Sequence, residues 1–481
     1  MAEEKELEMF EPMVKKTKFD IPKGATFDNI LSPIQVGKFK LKNRIALAPM
    51  NEILSGIDGG VTQELCSYAA ARAAGGLGLY ISGAILGTEM AAKFVWQRNS
   101  YCFRPDHIRG LAKWVDHVHY FGAVAVGQMS IGFGRQGHSH DPNEKCPAAS
   151  AGYPYEIPWD RMWPNLDKLM DRWEKFRNWL HGQPTREMSI EEIHSEQFEF
   201  ANSCQLLLAA GWDGIEIHAP HGYLEHQFLS PLTNKRTDMY GGSWENRKRF
   251  LCEVMDQVRY ACPGGIVGVR ISAEEHKEGG LTAEEMINLA QDLEALGADY
   301  IHLSDGGGYS EVSHLIPTAD RVEHTPDTAA KFKAALNIPV ILPSQHDPVK
   351  ADKAIAEGKF DIQALGRQLL IDPDYPNKLK EGRASEIKPC RRCNTCINRC
   401  IIQNGPQCPF NPELGYEYAL DKYKLGPRPK HVPIYPKSMT NGGLPALVGR
   451  PWWKSEIPIT QNSWRKFRGP GSNSLPGKKK E

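Results

Sequence analysis

Eight short apolar runs recur along the middle of the chain, and their order constrains the fold more than any other feature. They occupy Arg44–Met50, Leu79–Ala84, Ala123–Met129, Gly214–Ala219, Ile266–Ser272, Tyr300–Gly306, Pro339–Ser344 and Asp361–Gly366. Most are separated by stretches of helical character. In the clearest of these, Ser189 precedes an amphipathic run with Glu192 three positions later, the pattern of a capping box. Thr282 and Glu285 repeat it, and Gly297 is placed to close that helix. Strands that read as continuous apolar runs are buried on both faces, as in parallel sheets. Eight of them alternating with helices predict a closed α/β (β/α)8 barrel, a TIM barrel; an open doubly wound sheet is the alternative.

In such a barrel the residues just past each strand share one mouth. Here those positions carry Pro49 and Met50 after the first run, Gln128 in the third, His218 with His221 and Tyr223 after the fourth, and Arg270 in the fifth. An amide, two imidazoles, a phenol and a guanidinium would each need partners if they were separate core residues. Convergence on one ligand accounts for them together. Two imidazoles can stabilise an oxyanion on a carbonyl whose conjugated alkene accepts hydride, and a phenol can protonate the adjacent carbon. A bland alternative for Arg270 is an ion pair with Glu216.

The second chemical signal is Cys390-x2-Cys393-x2-Cys396, followed by Cys408. Four thiolates so spaced suit either a zinc ion or an iron–sulfur cluster, and spacing alone does not decide. Cys396 and Cys400 would share a helix face, so either can be the third ligand; Cys396 is the assignment, with Cys400 a spare thiol. The scattered Cys66, Cys102, Cys146, Cys204, Cys252 and Cys262 read as reduced core or near-surface residues. The opening MAEEKELEMF is not a secretory leader, and no apolar run approaches the ~20 residues of a membrane span. The expectation is a cytoplasmic protein.

With 58 basic and 58 acidic residues, the charge balance offers no argument for nucleic acid binding. The end of the chain is an exception. It is rich in Lys, Arg, Pro and Gly, and Arg465, Lys466, Arg468 and Lys478 to Lys480 suit either docking of an acidic carrier or clamping of the barrel.

The motifs Leu41–Met50, Arg72–Gly83, Gln128–Arg135, Gly211–Phe250 and Asp361–Lys378, together with the cysteine run, resemble the old yellow enzyme family. The likeness is to its iron–sulfur branch, which includes 2-enoate reductases, 2,4-dienoyl-CoA reductase and trimethylamine dehydrogenase, and it runs from about Phe27 to Gly415. It implies a barrel holding FMN beside a [4Fe–4S] cluster. His218 and His221 would grip the substrate carbonyl, and Tyr223 would donate the proton. Pro49, Met50, Gly83, Gln128 and Arg270 would meet the flavin ring, and Ser344, Gly366 and Arg367 its phosphate side. Cys390, Cys393, Cys396 and Cys408 would ligate the cluster. The implied organisation is an N-terminal extension at 1–26, a barrel at 27–385, a cluster segment at 386–415 and a basic tail at 416–481.

The chain departs from the family pattern in four places. Residues 130–133 read Ser-Ile-Gly-Phe where many relatives place a His. The glycine-containing phosphate loop is replaced by Leu342 to Asp347, in which Ser344 and Gln345 are the expected donors. The cysteine run is followed by Pro409-Phe410-Asn411-Pro412, one residue longer than usual. After Gly415 there is no strand followed by GxGxxG, so electrons are expected from a separate redox protein or reductase subunit, within a homo-oligomer or hetero-complex.

The expected activity is that of an ene-reductase on an α,β-unsaturated carbonyl compound. The alternatives are the reverse dehydrogenation, an amine dehydrogenase caged by aromatics such as Tyr68 and Trp96, and a non-catalytic electron-transfer subunit. A long excursion from Phe133 to Arg186, carrying Trp159, Trp163, Trp173 and Trp179, suits a lid over the mouth.

Overall fold

A computed structural model describes residues 18–426, apart from 96, 140, 142, 153–183, 305–325 and 402. Trp96, the tryptophans of the expected lid and the basic tail beyond residue 426 therefore lie outside the described residues. All eight apolar runs contain strands: β1 (Ile45–Leu47), β2 (Leu79–Ile81), β3 (Val124–Ser130), β4 (Gly214–His218), β5 (Ile266–Ser272), β6 (Tyr300–Ser304), β7 (Val340–Pro343) and β8 (Ile362–Leu365). Each pairs in parallel with its neighbours in sequence. β8 then pairs with β1 through Gln363 opposite Ile45. That last pairing closes the sheet and rules out the doubly wound alternative.

The strands are covered by α1 (Gln63–Ala74), α2 (Ile108–Tyr120), α3 (Ile190–Ala209), α4 (Trp244–Ala261), α5 (Ala283–Ala295), α6 (Pro326–Ala335), α7 (Pro348–Ala356) and the short α8 (Arg367–Ile371). Both expected capping boxes form, at Ser189 with Glu192 and at Thr282 with Glu285. Each satisfies amide donors that a helix start leaves orphaned. Gly297 follows α5 at φ 96°, a left-handed conformation that a side chain would strain.

The barrel interior is filled from below by Ala46, Leu79, Ile81, Val126, Ile266, Tyr300, Ile341 and Ile362, with Val36 and Leu41 of a hairpin stopping the lower end. Gly268 makes room for this layer, since a Cβ there would sit 2.0 Å from Tyr300 Cζ. The core therefore occupies the lower barrel, and polar residues are left to the upper mouth.

Cys146–Ala148 pairs in parallel with Thr185–Glu187, so the excursion departs from and returns to adjoining strands. Residues 416–423 pack back on α1, where the buried Arg72 pairs with Glu417 and lies 3.9 Å over the Tyr68 ring. The six scattered cysteines are buried and unbridged, as expected. Among the described residues no helix is long and apolar enough to cross a membrane.

Candidate active site

A cavity of about 370 Å³ opens at the upper ends of the strands. Pro49, Met50, Gln128, His218, His221, Tyr223, Arg270, Ser344, Gly366, Arg367 and Cys396 all line it. Residues more than 300 positions apart are gathered because a closed barrel brings every strand C-terminus to one rim. Gly83 stands just behind that lining: a Cβ there would lie 2.1 Å from Met50 O and 2.5 Å from Glu52 Oε2. At Gly366 a Cβ would come within 3.0 Å of Met50 Sδ. The backbone contact leaves no space for a side chain at Gly83, whereas at Gly366 the Met50 side chain would have to shift.

β4 ends at His218, and the chain then turns sharply through His221 (φ 69°) and Gly222 (φ 74°) into a short helix, Leu224–Leu229. The left-handed conformation costs a non-glycine residue on the order of 1 kcal/mol, and several anchors hold it. The His221 amide donates to Ser272 Oγ (3.4 Å), its carbonyl accepts from Gln136 Nε2 (2.6 Å), and its Nε2 meets Ser304 Oγ at 2.5 Å. The turn brings the rings together, with His218 centred 5.4 Å from His221 and 5.1 Å from Tyr223. Phe133, from one of the divergent positions, packs edge-on against Tyr223 at 5.7 Å.

Burial sets the proton inventory. It pushes His218 down to about 3, with the nearby Arg270 cation acting in the same direction, so the imidazole is neutral near pH 7. Tyr223 is pushed up to about 12 by burial alone and keeps its proton. Arg270 falls to about 10 because burial outweighs the opposing charge of Glu216. Among the described residues, His218 Nδ1 and Arg270 Nε, like Glu52 Oε1, Tyr68 OH and Asn99 Oδ1 of the same lining, are buried without a hydrogen-bond partner. Such atoms in a cavity wall fit a site that a polar ligand completes.

The bland pairing of Arg270 with Glu216 does not form. Glu216 instead accepts from Gln128 Nε2 (2.7 Å) and Tyr300 OH (2.9 Å) and meets His302 Nδ1 at 2.9 Å, whereas Arg270 Nη2 donates to Ser304 Oγ at 3.3 Å. Burial works against the Glu216 charge, but His302, Arg270 and Gln128 hold its carboxyl below the ordinary value. Glu216 thus orients the Gln128 amide from beneath.

The loop after β7 differs in part from expectation. Ser344 adopts φ 69° and so preserves the backbone shape that glycine takes freely. Gln345 is not in the lining; its amide points at Pro343 O (3.4 Å), and His346 enters the cavity instead. His346 was overlooked because neighbouring loop residues cannot be assigned to inward or outward positions without the turn geometry. Glu52, which no sequence motif singles out, also lines the cavity, as does Tyr68, the aromatic named above for an amine cage. Burial pushes the Glu52 carboxyl up to about 7.

The cysteine segment packs on α8. Cys390 N donates to Gln368 Oε1 (2.9 Å), and Asn411 Nδ2, in the turn after Cys408, donates to Leu370 O (2.7 Å). Thr395–Ile401 is helical, so Cys396 and Cys400 do lie one turn apart, and both line the cavity. Burial, and after it the proximity of their fellow cysteines, raises the Cys390, Cys396 and Cys408 thiols above the ordinary value. Cys400 feels Cys396 and Glu52 rather than the other three, and its Sγ approaches Glu52 O at 3.9 Å. Among the described residues, no three His, Cys, Asp or Glu side chains are close enough to hold one metal ion. The four cysteines are neighbours without converging on a single point.

A closed barrel whose strand ends bring amide, imidazole, phenol and guanidinium groups to one cavity shares its fold with an old yellow enzyme homologue of Zymomonas mobilis (TM-score 0.61, 22% identity, covering 82% of this chain and 99% of that one). The chain belongs to the NADH:flavin oxidoreductase / NADH oxidase family, whose model matches residues 29–386. It is 34% identical over 432 residues to an NADH oxidase of Thermoanaerobacter brockii, covering 87% of this chain and 60% of that protein. It is 31% identical over 419 residues to a cinnamate reductase of Clostridium sporogenes, covering 82% and 59% respectively. Among solved structures, a 2-naphthoyl-CoA reductase in complex with 2-naphthoyl-CoA superposes with a TM-score of 0.71 at 28% identity, covering 82% of this chain and 58% of that one. The chain thus spans about three fifths of the length of each of these last three.

Proposed function

We infer that this protein is an ene-reductase that saturates the alkene of an α,β-unsaturated carbonyl compound. The observation that carries the reading is the meeting of His218, His221 and Tyr223 within the cavity that Gln128 and Arg270 also line. A neutral His218 can donate an N–H to the carbonyl oxygen, and His221 offers a second donor where negative charge accumulates. Tyr223 retains its proton and is the acid for the α-carbon. FMN, the family's cofactor, supplies the hydride when bound and reduced.

The chain's own residues fit that cofactor. Arg270 brings a buried cation with an unpartnered Nε, Gln128 brings an oriented amide, and Pro49, Met50 and Gly83 form a wall without room for further side chains. Ser344, Gly366 and Arg367 lie after β7 and β8, where barrels commonly seat a phosphate. The names cinnamate reductase and 2-naphthoyl-CoA reductase, one a conjugated carboxylate and the other an aryl thioester, support a carbonyl-bearing substrate.

The segment 386–415 completes the reading as a site for a [4Fe–4S] cluster held by Cys390, Cys393, Cys396 and Cys408. What supports it is the Cys-x2-Cys-x2-Cys spacing with Cys408, in thiols close enough to influence one another electrostatically. Cys396 reaches the cavity, and all four candidate ligands are only partly buried, so the segment touches both cavity and surface. That placement suits electrons delivered by a separate redox protein. The test is FMN, iron and sulfide quantification on anaerobically purified protein, followed by anaerobic reduction of an enone, an enoate and an enoyl thioester with a low-potential donor. Absence of FMN, or failure to reduce any conjugated carbonyl, would remove the reading; zinc without sulfide would remove its cluster.

A further inference from the structure

Ser304, the last residue of β6, is buried, and its hydroxyl has two partners, Arg270 Nη2 at 3.3 Å and His221 Nε2 at 2.5 Å. A guanidinium can only donate, so Ser304 Oγ is the acceptor toward Arg270. The hydroxyl has one proton of its own to place. A buried donor left unsatisfied costs about 1–3 kcal/mol, and among the described residues the acceptor that meets the hydroxyl is His221 Nε2. That nitrogen must then be the bare one. An imidazolium, or the tautomer protonated at Nε2, would leave the Ser304 proton with nowhere to go.

We propose that Ser304 is a positioning residue that gives its only proton to His221 Nε2, fixes His221 as the neutral Nδ1–H tautomer and relays the positive charge of Arg270 toward the substrate carbonyl. Hydrogen bonds in a chain polarise one another. Arg270 makes the Ser304 O–H a stronger donor, and an imidazole accepting strongly at Nε2 is a stronger donor at Nδ1. His221 thereby gains part of a cation's pull on a developing oxyanion without taking up a proton. The turn supports this arrangement: His221 sits at φ 69° and is also anchored by Ser272 and Gln136, so the ring has little freedom to exchange its nitrogens.

The tautomer does not depend on the substrate class, whereas the relay's consequence for rate rests on the carbonyl reading above. The experiment separates them. In holoprotein carrying 15N-labelled histidine, with the His221 signals assigned by their loss in His221→Asn, long-range 15N–1H correlation should show a protonated Nδ1 and a bare Nε2. Ser304→Thr, which keeps a hydroxyl, should retain that pattern. Ser304→Ala should lose it and should lower kcat for alkene reduction about tenfold, less than loss of a direct oxyanion donor, with FMN content unchanged. A protonated His221 Nε2 in the wild-type protein would overturn the proposal. So would a Ser304→Ala variant with the wild-type tautomer and rate. The wild-type spectrum decides the tautomer by itself, so a Ser304→Ala variant that fails to fold does not shield the proposal. A correct tautomer without any conjugated-carbonyl reduction would uphold the hydrogen-bond chain and discard the functional reading instead.

Discussion

The barrel mouth and the cysteine segment line one cavity, yet they are built differently. At the mouth, functional groups sit on strand ends and are held from several sides, as His221 is by Ser272, Gln136 and Ser304. The cysteine segment has a helix of 7 residues, and Arg392, Asn394 and Gln403 lie at positive φ. Its anchors are largely single bonds to α8. The mouth is ordered by the barrel's own packing, whereas under the proposed reading the segment would be completed by a bound inorganic centre, because metal binding and local folding share free energy. Loss of a centre should therefore disturb the segment and spare the mouth.

The widest separation is expected from the cysteines. Cys393→Ser should remove nearly all iron while leaving FMN in place, and Cys400→Ser should leave iron close to wild type; metal and flavin analysis of the two variants checks both. Loss of iron in Cys400→Ser would move the third ligand from Cys396 to Cys400. Tyr223→Phe probes the mouth in the opposite sense. It should lower alkene reduction about 10²-fold or more with flavin and iron unchanged, read from steady-state kcat with an artificial donor.

Gly268→Ala links the mouth to the packing beneath it. The new Cβ would displace Tyr300, which bonds Glu216, which in turn orients Gln128. Overpacking of this kind costs about 1–3 kcal/mol, measurable as a lower denaturant midpoint, and weaker FMN retention should accompany it. An unchanged midpoint would show that the lower layer yields more easily than its geometry implies.

That chain of contacts also marks where the sequence stops being readable. The eight strands were legible because each is a short apolar run between capped helices, and the mouth because polar residues at strand ends have no other economical place. Cross-strand register was not legible. Only the observed strand register sets Glu216 opposite both Gln128 and Gly268, and Ser272 opposite Ser304. The supporting roles of Glu216 and Ser304 follow from those pairings, and Glu216 could equally have been a partner for Arg270 until they were known. His346 escaped notice for a local reason: a loop with Ser344 at positive φ turns the third residue inward where an extended loop would present the second.

The smallest expected effect is on pH dependence. His218 becomes charged only as pH falls toward about 3, and Tyr223 loses its proton only as pH rises toward about 12, so neither should put a limb into alkene reduction between about pH 6 and about pH 9. Glu52, raised to about 7 by burial, loses its proton as pH rises through that range. A limb near neutrality should therefore vanish in Glu52→Gln, and a limb that persists there would contradict the assignment.

The most direct test of the account is an anaerobic single turnover. Chemically reduced holoprotein is mixed with a conjugated enone or enoate, and flavin reoxidation is followed together with product formation in the wild type and in His218→Ala and His221→Ala. The account predicts stoichiometric saturation of the alkene by the wild type and a fall of about 10²–10³-fold in each variant, with equal FMN content in all three. Undiminished alkene reduction in both variants would contradict it.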